Sequence, residues 1–314
     1  MNTNKKLKLV ILLIALAIIY TDLFIITNTK NIVEESGDIK TFFCKIENCE
    51  DEFINTIKGA ETLKCAFYDI TNQKIIKQLK KENAKIITHN QEEFKQITTS
   101  GLMHHKFCII NKTHIITGSY NPTQINKHHE NLIIIESKTL TYNYKREFEQ
   151  IKKQNKYRTP KEQTKTTKII YNNYTLKNYF CPQDNCQKRI IQEIQKANET
   201  IKFMLFTFTD QDIAKELVKK KKEGVAVRGI IENFQNKQYW QTPLLQQNNI
   251  TVKIHSSNIF QHNKIFIIDN KIITGSYNPT RAGTTINDEN ILIITQPEIV
   301  KEYKKYFKKV YKTI

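Results

Sequence analysis

Arginine is scarce in this chain. Only five of its 49 lysine and arginine residues are arginine. Arginine grips a phosphate with two parallel hydrogen bonds, whereas lysine acts as a compact point charge, so the scarcity argues against a phosphate site built mainly from arginine. The formal net charge is nevertheless +18. This charge fits either a solvated basic surface or attraction to a polyanion, namely a nucleic acid or an acidic membrane.

The cysteines lack the neighbours that a metal site needs. Two C-x4-C pairs stand at equivalent places in the two halves of the chain, Cys44 with Cys49 and Cys181 with Cys186. Neither pair has a histidine or a further cysteine nearby. In an exported protein each pair would close as a short disulfide loop, and free buried thiols are the alternative. Cys65 and Cys108 lie in apolar, strand-like runs and are predicted to be core residues.

Charge is also sparse in one long segment near the N-terminus. From Leu9 to Ile26 the run is interrupted by a single charged residue, Asp22, and several lysines precede it. We interpret residues 1–30 as an uncleaved anchor that contacts the membrane through 9–26, with a cleaved signal peptide as the alternative. The positive flank would keep the N-terminus in the cytoplasm. The remainder of the chain would then lie outside the cytoplasm, and it would be secreted if the segment were cleaved.

The rest of the chain is an internal duplication. The string Ile-Ile-Thr-Gly-Ser-Tyr-Asn-Pro-Thr occurs at 115–123 and again at 272–280. In both halves short apolar runs alternate with amphipathic stretches, which predicts an α/β protein with helices on the faces of its sheets. We assign residues 31–158 to a first repeat and 159–314 to a second, because the polar and basic segment 151–168 is typical of a linker.

Each repeat carries a histidine and a lysine two positions apart. The two sets are His104, Lys106 and Asn111, and His262, Lys264 and Asp269. Residues two apart on a strand point to the same face, so an imidazole and an ammonium would reach one substrate group. Two such pairs can cleave a phosphodiester: one histidine attacks phosphorus, the other protonates the leaving oxygen, and the lysines stabilise the negative charge. This chemistry needs no metal and no cofactor, because the protein supplies the cations.

A carboxylate is expected to orient each catalytic histidine. Glu130 lies 26 residues beyond His104, and Glu289 lies 27 residues beyond His262, each followed by asparagine and an apolar run. The matching context predicts this orienting role for both glutamates, while their pairing with the two histidines stays open. His105 alternates to the opposite face and is predicted to be a packed or surface residue.

The duplicated pattern resembles the phospholipase D superfamily, whose hallmark is a repeated His-x-Lys-x4-Asp followed by Gly-Ser-x-Asn. The resemblance implies an α/β fold in which two repeats, each a mixed β-sheet flanked by helices, pack about a pseudo-two-fold axis and share one active site. It implies that His104 and His262 are the nucleophile and the general acid, supported by Glu130 and Glu289. The residues that it implies for phosphate binding are Lys106, Lys264, Ser119, Ser276, Asn121 and Asn278.

The first repeat departs from the family pattern at one position. Asn111 stands where the second repeat has Asp269. We expect this residue to tie the local backbone at the end of its strand. Asparagine is nearly isosteric with aspartate and still accepts hydrogen bonds, so the first repeat is kept in the predicted site.

The sequence therefore predicts a phosphodiesterase that acts through a phosphohistidine. We favour a nucleic-acid backbone as the substrate, because the body is compact and basic. The alternative is a membrane phospholipid, hydrolysed as by phospholipase D or transferred as by cardiolipin synthase. An inactive, membrane-tethered phosphate-binding module is an alternative of another class. No obligate protein partner is implied, because the duplication already supplies both halves of a site.

Overall fold

The computed structural model describes Leu13 and residues 33–124, 128–154, 159–233 and 237–314. The predicted anchor, 9–26, therefore lies outside the described residues except for Leu13. Among the helices that are described, none is both long enough and apolar enough to cross a bilayer.

The first half forms a seven-stranded sheet with helices packed on it. Two of the helices follow strands closely along the chain, and the third closes the half. The elements are β2 (Ile39–Phe43), α1 (Cys49–Ile57), β3 (Leu63–Phe67), α2 (Gln73–Lys81), β4 (Lys85–Thr88), β5 (Lys95–Gln96), β6 (Lys106–Ile110), β7 (His114–Gly118), β8 (Asn131–Glu136) and α3 (Lys138–Lys152).

The second half forms a nine-stranded sheet, which also includes the early strand β1 (Val33–Glu35). Its other elements are β9 (Lys168–Tyr171), β10 (Tyr174–Cys181), α4 (Cys186–Gln195), β11 (Thr200–Leu205), α5 (Gln211–Lys222), β12 (Ala226–Glu232), a 3-10 turn (Lys237–Tyr239), α6 (Thr242–Gln247), β13 (Thr251–His255), β14 (Lys264–Ile268), β15 (Lys271–Gly275), α7 (Arg281–Thr285), β16 (Glu289–Ile294) and α8 (Pro297–Thr313).

The two sheets repeat one topology. The order β2-β8-β7-β6-β3-β4-β5 recurs as β10-β16-β15-β14-β11-β12-β13, and β9 and β1 extend the second sheet at its β10 edge. Both sheets are mixed, because β3 pairs with β4 in parallel and with β6 antiparallel, as β11 does with β12 and β14. The predicted α/β fold of two related mixed sheets is confirmed.

The strands that follow the two histidines lie in the interior of their sheets. All five residues of β6 and all five of β14 are buried, as expected for apolar runs covered on both faces. Between the sheets, α3 and α8 pack into a core that takes residues from both halves, including Phe107, Tyr144, Ile267 and Tyr303. This shared core holds the starts of β6 and β14 in a fixed relation.

A glycine ends each of β7 and β15, the strands that follow β6 and β14 along the chain. Gly118 and Gly275 have φ of 131° and 149°, a conformation that favours glycine. A Cβ at either position would lie 2.2 Å from a backbone oxygen, that of Asn131 or Asn290. The glycine of each Gly-Ser pair therefore allows β7 and β15 to approach the strand that begins beside Glu130 or Glu289.

All six cysteines are paired. Cys44, which directly follows β2, bonds to Cys49, and Cys181, the last residue of β10, bonds to Cys186; Cys49 and Cys186 are each the first residue of a helix. Cys65 and Cys108 are buried, as predicted, but they also bond to each other across β3 and β6. That third bond was missed because the two residues are 43 positions apart and only the strand pairing brings them together.

Candidate active site

The two predicted catalytic histidines meet at one cavity. His104 and His262 each lie two residues before a central strand rather than on it, at the starts of β6 and β14. Both line the same cavity, whose volume is about 390 Å³. Backbone bridges from Met103 to Asp288 and from His129 to Gln261 tie each histidine segment to the opposite half. The site is therefore built between the halves.

Each histidine is paired with the glutamate of the other half. His104 Nδ1 lies 2.8 Å from Glu289 Oε2, and His262 Nδ1 lies 2.7 Å from Glu130 Oε1. The asparagine after each glutamate also crosses over: Asn131 donates to Thr274 at 3.0 Å and Asn290 donates to Thr117 at 3.3 Å. The pairing left open by the sequence is thus a crossed one, because neither His104 nor His262 is paired with the glutamate of its own half.

The two lysines occupy matching positions beneath the histidines. Lys106 Nζ donates to the carbonyl oxygen of His104 at 2.7 Å, and Lys264 Nζ donates to that of His262 at 2.6 Å. Each ammonium also lies over an aromatic ring, with Lys106 5.2 Å from the centre of Tyr68 and Lys264 5.1 Å from that of Phe206. Both lysines are buried, so their charges act in a poorly screened environment.

Burial controls the protonation of this cluster. It lowers the pKa of both His104 and His262 well below the usual value, and the neighbouring lysines add to the effect. Burial raises the pKa of Glu130 to about 8 and that of Glu289 to about 7, and it lowers that of Lys106 to about 8. Burial therefore disfavours an ion pair of imidazolium and carboxylate in each histidine–glutamate pair. When the neutral ring carries its proton on Nδ1, Nε2 is the atom that can attack phosphorus.

The serine and the asparagine of each Gly-Ser-x-Asn string lie in different surroundings. Asn121 and Asn278 line the cavity, in keeping with the phosphate-binding role that the resemblance implies. Ser119 and Ser276 are fully buried, and their hydroxyl oxygens accept from the backbone N–H groups of Asn131 and Asn290 at 3.0 Å. Their hydroxyls thus hold the starts of β8 and β16, where the glutamates lie, and do not line the cavity.

The position at which the first repeat departs from the family pattern lies at a turn away from the cavity. Asp269 accepts from three backbone N–H groups, those of residues 198–200, at 2.7–3.0 Å. Burial would raise the pKa of this carboxyl, but the three amides outweigh it and lower the pKa. Asn111 accepts from Thr62 N at 3.0 Å at the equivalent turn. Both residues tie the backbone, so Asn111 preserves the geometry of the first repeat.

A buried ion network lies directly behind the site. Lys161, in the segment predicted to be a linker, pairs with Glu147 and, at 2.8 Å, with Asp288. Glu147 also contacts His105 Nε2 at 3.1 Å, so His105 is packed, as predicted. The Asp288 carbonyl accepts from His104 N at 3.0 Å. Sequence reasoning missed Lys161, because one lysine within a basic segment gives no signal of burial.

The cavity has different walls beside the two histidines. Near His104 are Tyr68, Asp69 and Leu102; near His262 are Phe206, Phe260 and His128. His128 stacks on the Phe260 ring, and its Nδ1 accepts from Phe260 N at 3.0 Å. A neutral imidazole with this bond carries its proton on Nε2. Sequence reasoning missed these wall residues, because they stand outside the repeated strings.

Comparisons with known proteins agree with this geometry. The family described as "Cardiolipin synthase, PLD-like domain" matches residues 21–152 and 190–311. A phospholipase D of Rickettsia typhi is 34% identical over 126 residues, which are 40% of this chain and 62% of that protein. A mitochondrial cardiolipin hydrolase of Chlamydomonas reinhardtii is 27% identical over 141 residues, 42% of this chain and 63% of that protein. The chain thus spans less than two thirds of the length of these curated relatives.

The fold extends the comparison to the whole body. The crystal structure of a phosphatidylserine synthase from Haemophilus influenzae Rd KW20 superposes with a TM-score of 0.69. The superposition covers 90% of this chain and 89% of that one, at 12% sequence identity, so it shows a shared fold. With one family model that matches both halves, two related sheets and a histidine from each half at one cavity, the chain belongs to the phospholipase D superfamily.

Proposed function

We propose that the protein is a metal-independent phosphodiesterase that works through a phosphohistidine. The observation that carries this proposal is the crossed pairing of His104 with Glu289 and of His262 with Glu130 at one cavity. Nε2 of one histidine forms a bond to phosphorus as the phosphorus–oxygen bond to the leaving group breaks. The other histidine donates its proton to that oxygen and then removes a proton from the water that releases the phosphate.

The charges of the site fit this sequence of steps. A bound phosphate diester brings negative charge next to the buried histidines, which raises their pKa and allows one of them to hold a proton. Lys106 and Lys264 stabilise the charge that develops on the phosphoryl oxygens. These ammoniums supply the cationic charge, so we expect turnover to continue in EDTA.

The walls of the cavity favour a phospholipid as the substrate. Tyr68, Leu102, Phe206 and Phe260 offer aromatic and apolar surface. A nucleic-acid strand would bring further phosphates on both sides of the one being cut, and the Asp69 carboxylate in the cavity wall disfavours such added negative charge. The names of the relatives, phospholipase D and cardiolipin hydrolase, support the same substrate class. We therefore place phospholipid hydrolysis ahead of the nucleic-acid cleavage that the sequence favoured, with headgroup transfer as a variant of the same chemistry.

Nucleic-acid cleavage remains the second candidate because of the net charge of +18. A substrate panel separates the two. The full chain is incubated with phosphatidylcholine or phosphatidylglycerol vesicles, with single-stranded and duplex DNA, and with RNA, each with and without EDTA. We expect release of the lipid headgroup that is insensitive to EDTA and is lost in His104→Ala and in His262→Ala. Cleavage of nucleic acid alone would reverse the order of the candidates, and binding without turnover would indicate an inactive module.

We further propose that the body acts in an oxidising compartment outside the cytoplasm. The three disulfides support this location, because such bonds persist where thiols are not kept reduced. A membrane anchor at 9–26 would hold the body there, and cleavage of that segment would release it. Fractionation of cells with an epitope on the C-terminus tests the location. Recovery of the protein in the cytoplasmic fraction with reduced cysteines would contradict it.

A further inference from the structure

A second cavity lies apart from the catalytic one and shares no lining residue with it. It is a cleft of about 570 Å³ between helix α8 and strands β11 and β12. We call it the basic cleft, and its lining residues are Lys202, Arg228, Lys301, Lys304, Lys305, Phe307, Lys308, Tyr311 and Lys312. Seven of these nine side chains are cationic, and the other two are aromatic.

The positive charge of the basic cleft is not neutralised by ion pairs within the part of the chain that the structure describes. Among the residues that the structure describes, none of the seven cationic side chains forms an ion pair with a carboxylate. Lys202 is half-buried, and burial together with Arg228 and Lys304 lowers its pKa. Arg228 also lies over the Tyr311 ring, 5.6 Å from its centre. Like charges held this closely gain from an external anion.

The shape of the basic cleft narrows the choice of anion. Buried Phe307 and half-buried Tyr311 provide apolar surface, and the lysine stems add aliphatic surface around it. The helix that supplies most of the lysines is amphipathic, with Tyr303 and Tyr306 buried and Lys301, Lys305 and Lys308 exposed. Lysine clusters on an amphipathic helix are typical of binding to acidic lipids. A nucleic-acid backbone would instead favour an extended groove that follows successive phosphates.

We propose that the basic cleft binds the phosphate headgroups of acidic phospholipids and thereby docks the second half on an anionic membrane surface. Lipid binding at the basic cleft is independent of the proposed catalytic activity, because the cleft is a separate surface. It is also independent of the predicted anchor, because side chains of the folded body make the contact.

Lysine footprinting tests the contact directly. The full chain carrying His262→Ala, which prevents turnover, is acetylated in the presence of phosphatidylcholine vesicles or of vesicles with about one third phosphatidylglycerol. We expect the anionic vesicles to slow acetylation of Lys301, Lys304 and Lys308 at least threefold relative to the neutral ones. Lys215 and Lys219, exposed on α5, are expected to react equally with both. Equal acetylation of the cleft lysines with both vesicles would overturn the proposal, whatever holds the chain on the membrane.

Matched charge reversals provide the second measurement. Lys304→Glu/Lys308→Glu alters two lysines four positions apart on α8, and Lys215→Glu/Lys219→Glu makes the same charge change on α5. The difference in affinity between anionic and neutral vesicles is expected to fall at least tenfold in the first variant and to persist in the second, with both melting like the parent. The same loss in both variants would overturn the proposal. The proposal would also be overturned if the cleft variant kept its preference for anionic over neutral vesicles but lost affinity for duplex DNA.

Discussion

At the scale of single residues, the crossed histidine–glutamate pairs determine what the site can do. Each glutamate is almost fully buried and lies within hydrogen-bond distance of Nδ1 of a histidine in the other half. The pairing fixes the ring orientation and leaves Nε2 available for phosphorus. The carboxylates are therefore expected to contribute to the rate more than to the binding of substrate.

Glu130→Gln and Glu289→Gln test that role. An amide can hold the ring but cannot support its charged form, and it favours the wrong tautomer. We expect kcat to fall by about 10³- to 10⁴-fold in each variant, with KM changed only slightly. Steady-state kinetics on vesicles or micelles provide the measurement, with exposed Glu92→Gln as the control. A loss that appears only in KM would assign the glutamates to binding.

The pH dependence of kcat/KM follows from the same burial. Attack requires an unprotonated histidine, and the pKa of both is lowered below 6.5, so the acidic limb should lie below pH 6.5. The pKa of Lys106 is lowered to about 8, so its charge and the rate should both decline above pH 8. In Lys106→Arg, which stays charged, the residual activity should persist to higher pH. A wild-type profile that stays flat to pH 10 would contradict the assignment.

At the scale of elements, the segment between the halves is part of the site's support. Lys161 pairs with Glu147 of α3 and with Asp288, which directly precedes β16. Burial would lower the pKa of Lys161, but the two carboxylates outweigh it and raise the pKa, so the lysine stays charged. This ion network links α3 to the residue beside Glu289.

Removal of that lysine should be costly. Lys161→Met leaves two buried carboxylates without their shared cation, and we expect a loss of about 3–5 kcal/mol in the free energy of unfolding. Chemical denaturation measures the loss. Lys161→Met/Glu147→Gln should recover part of it, because the second change removes one of the uncompensated charges. If the single variant is as stable as wild type, the network is not a stabilising element.

The disulfides also act between elements. Cys65–Cys108 joins β3 to β6, the strand that follows His104, and it closes a loop of 43 residues. We expect its removal by Cys65→Ala/Cys108→Ala to cost about 2–5 kcal/mol in the free energy of unfolding. In the native protein, thiol labelling should detect no free cysteine before reduction. Labelling of Cys65 and Cys108 in the unreduced protein would show that the bond does not form.

At the scale of the whole molecule, the sequence predicted the parts of the fold that repeat. The duplicated strings identified the strands after each histidine, and alternation of apolar and amphipathic stretches gave the α/β class. The contacts that depend on how the two halves pack together could not be predicted from one sequence. The crossed glutamates, buried Lys161 and the Cys65–Cys108 bond all depend on which distant segments become neighbours, and local periodicity carries no information about that.

The substrate preference that we propose also depends on the whole molecule. Net charge favoured a polyanion, yet charge is a property of the whole surface and not of the cavity. The walls of the cavity are set by Tyr68, Leu102, Phe206 and Phe260, which come together only after both halves fold. Six of the 44 lysines line the basic cleft, away from the catalytic residues.

Trapping the covalent intermediate tests the central claim most directly. The protein is mixed with a short-chain phospholipid, quenched under denaturing, alkaline conditions within its first turnovers, and digested for peptide mass spectrometry. A single shared site predicts the phosphatidyl adduct on one of His104 and His262 but not on both, and a loss of turnover of at least about 10³-fold when either is replaced by alanine. Adducts on both histidines, or a variant that keeps turning over with one of them absent, would mean that the halves act as separate sites.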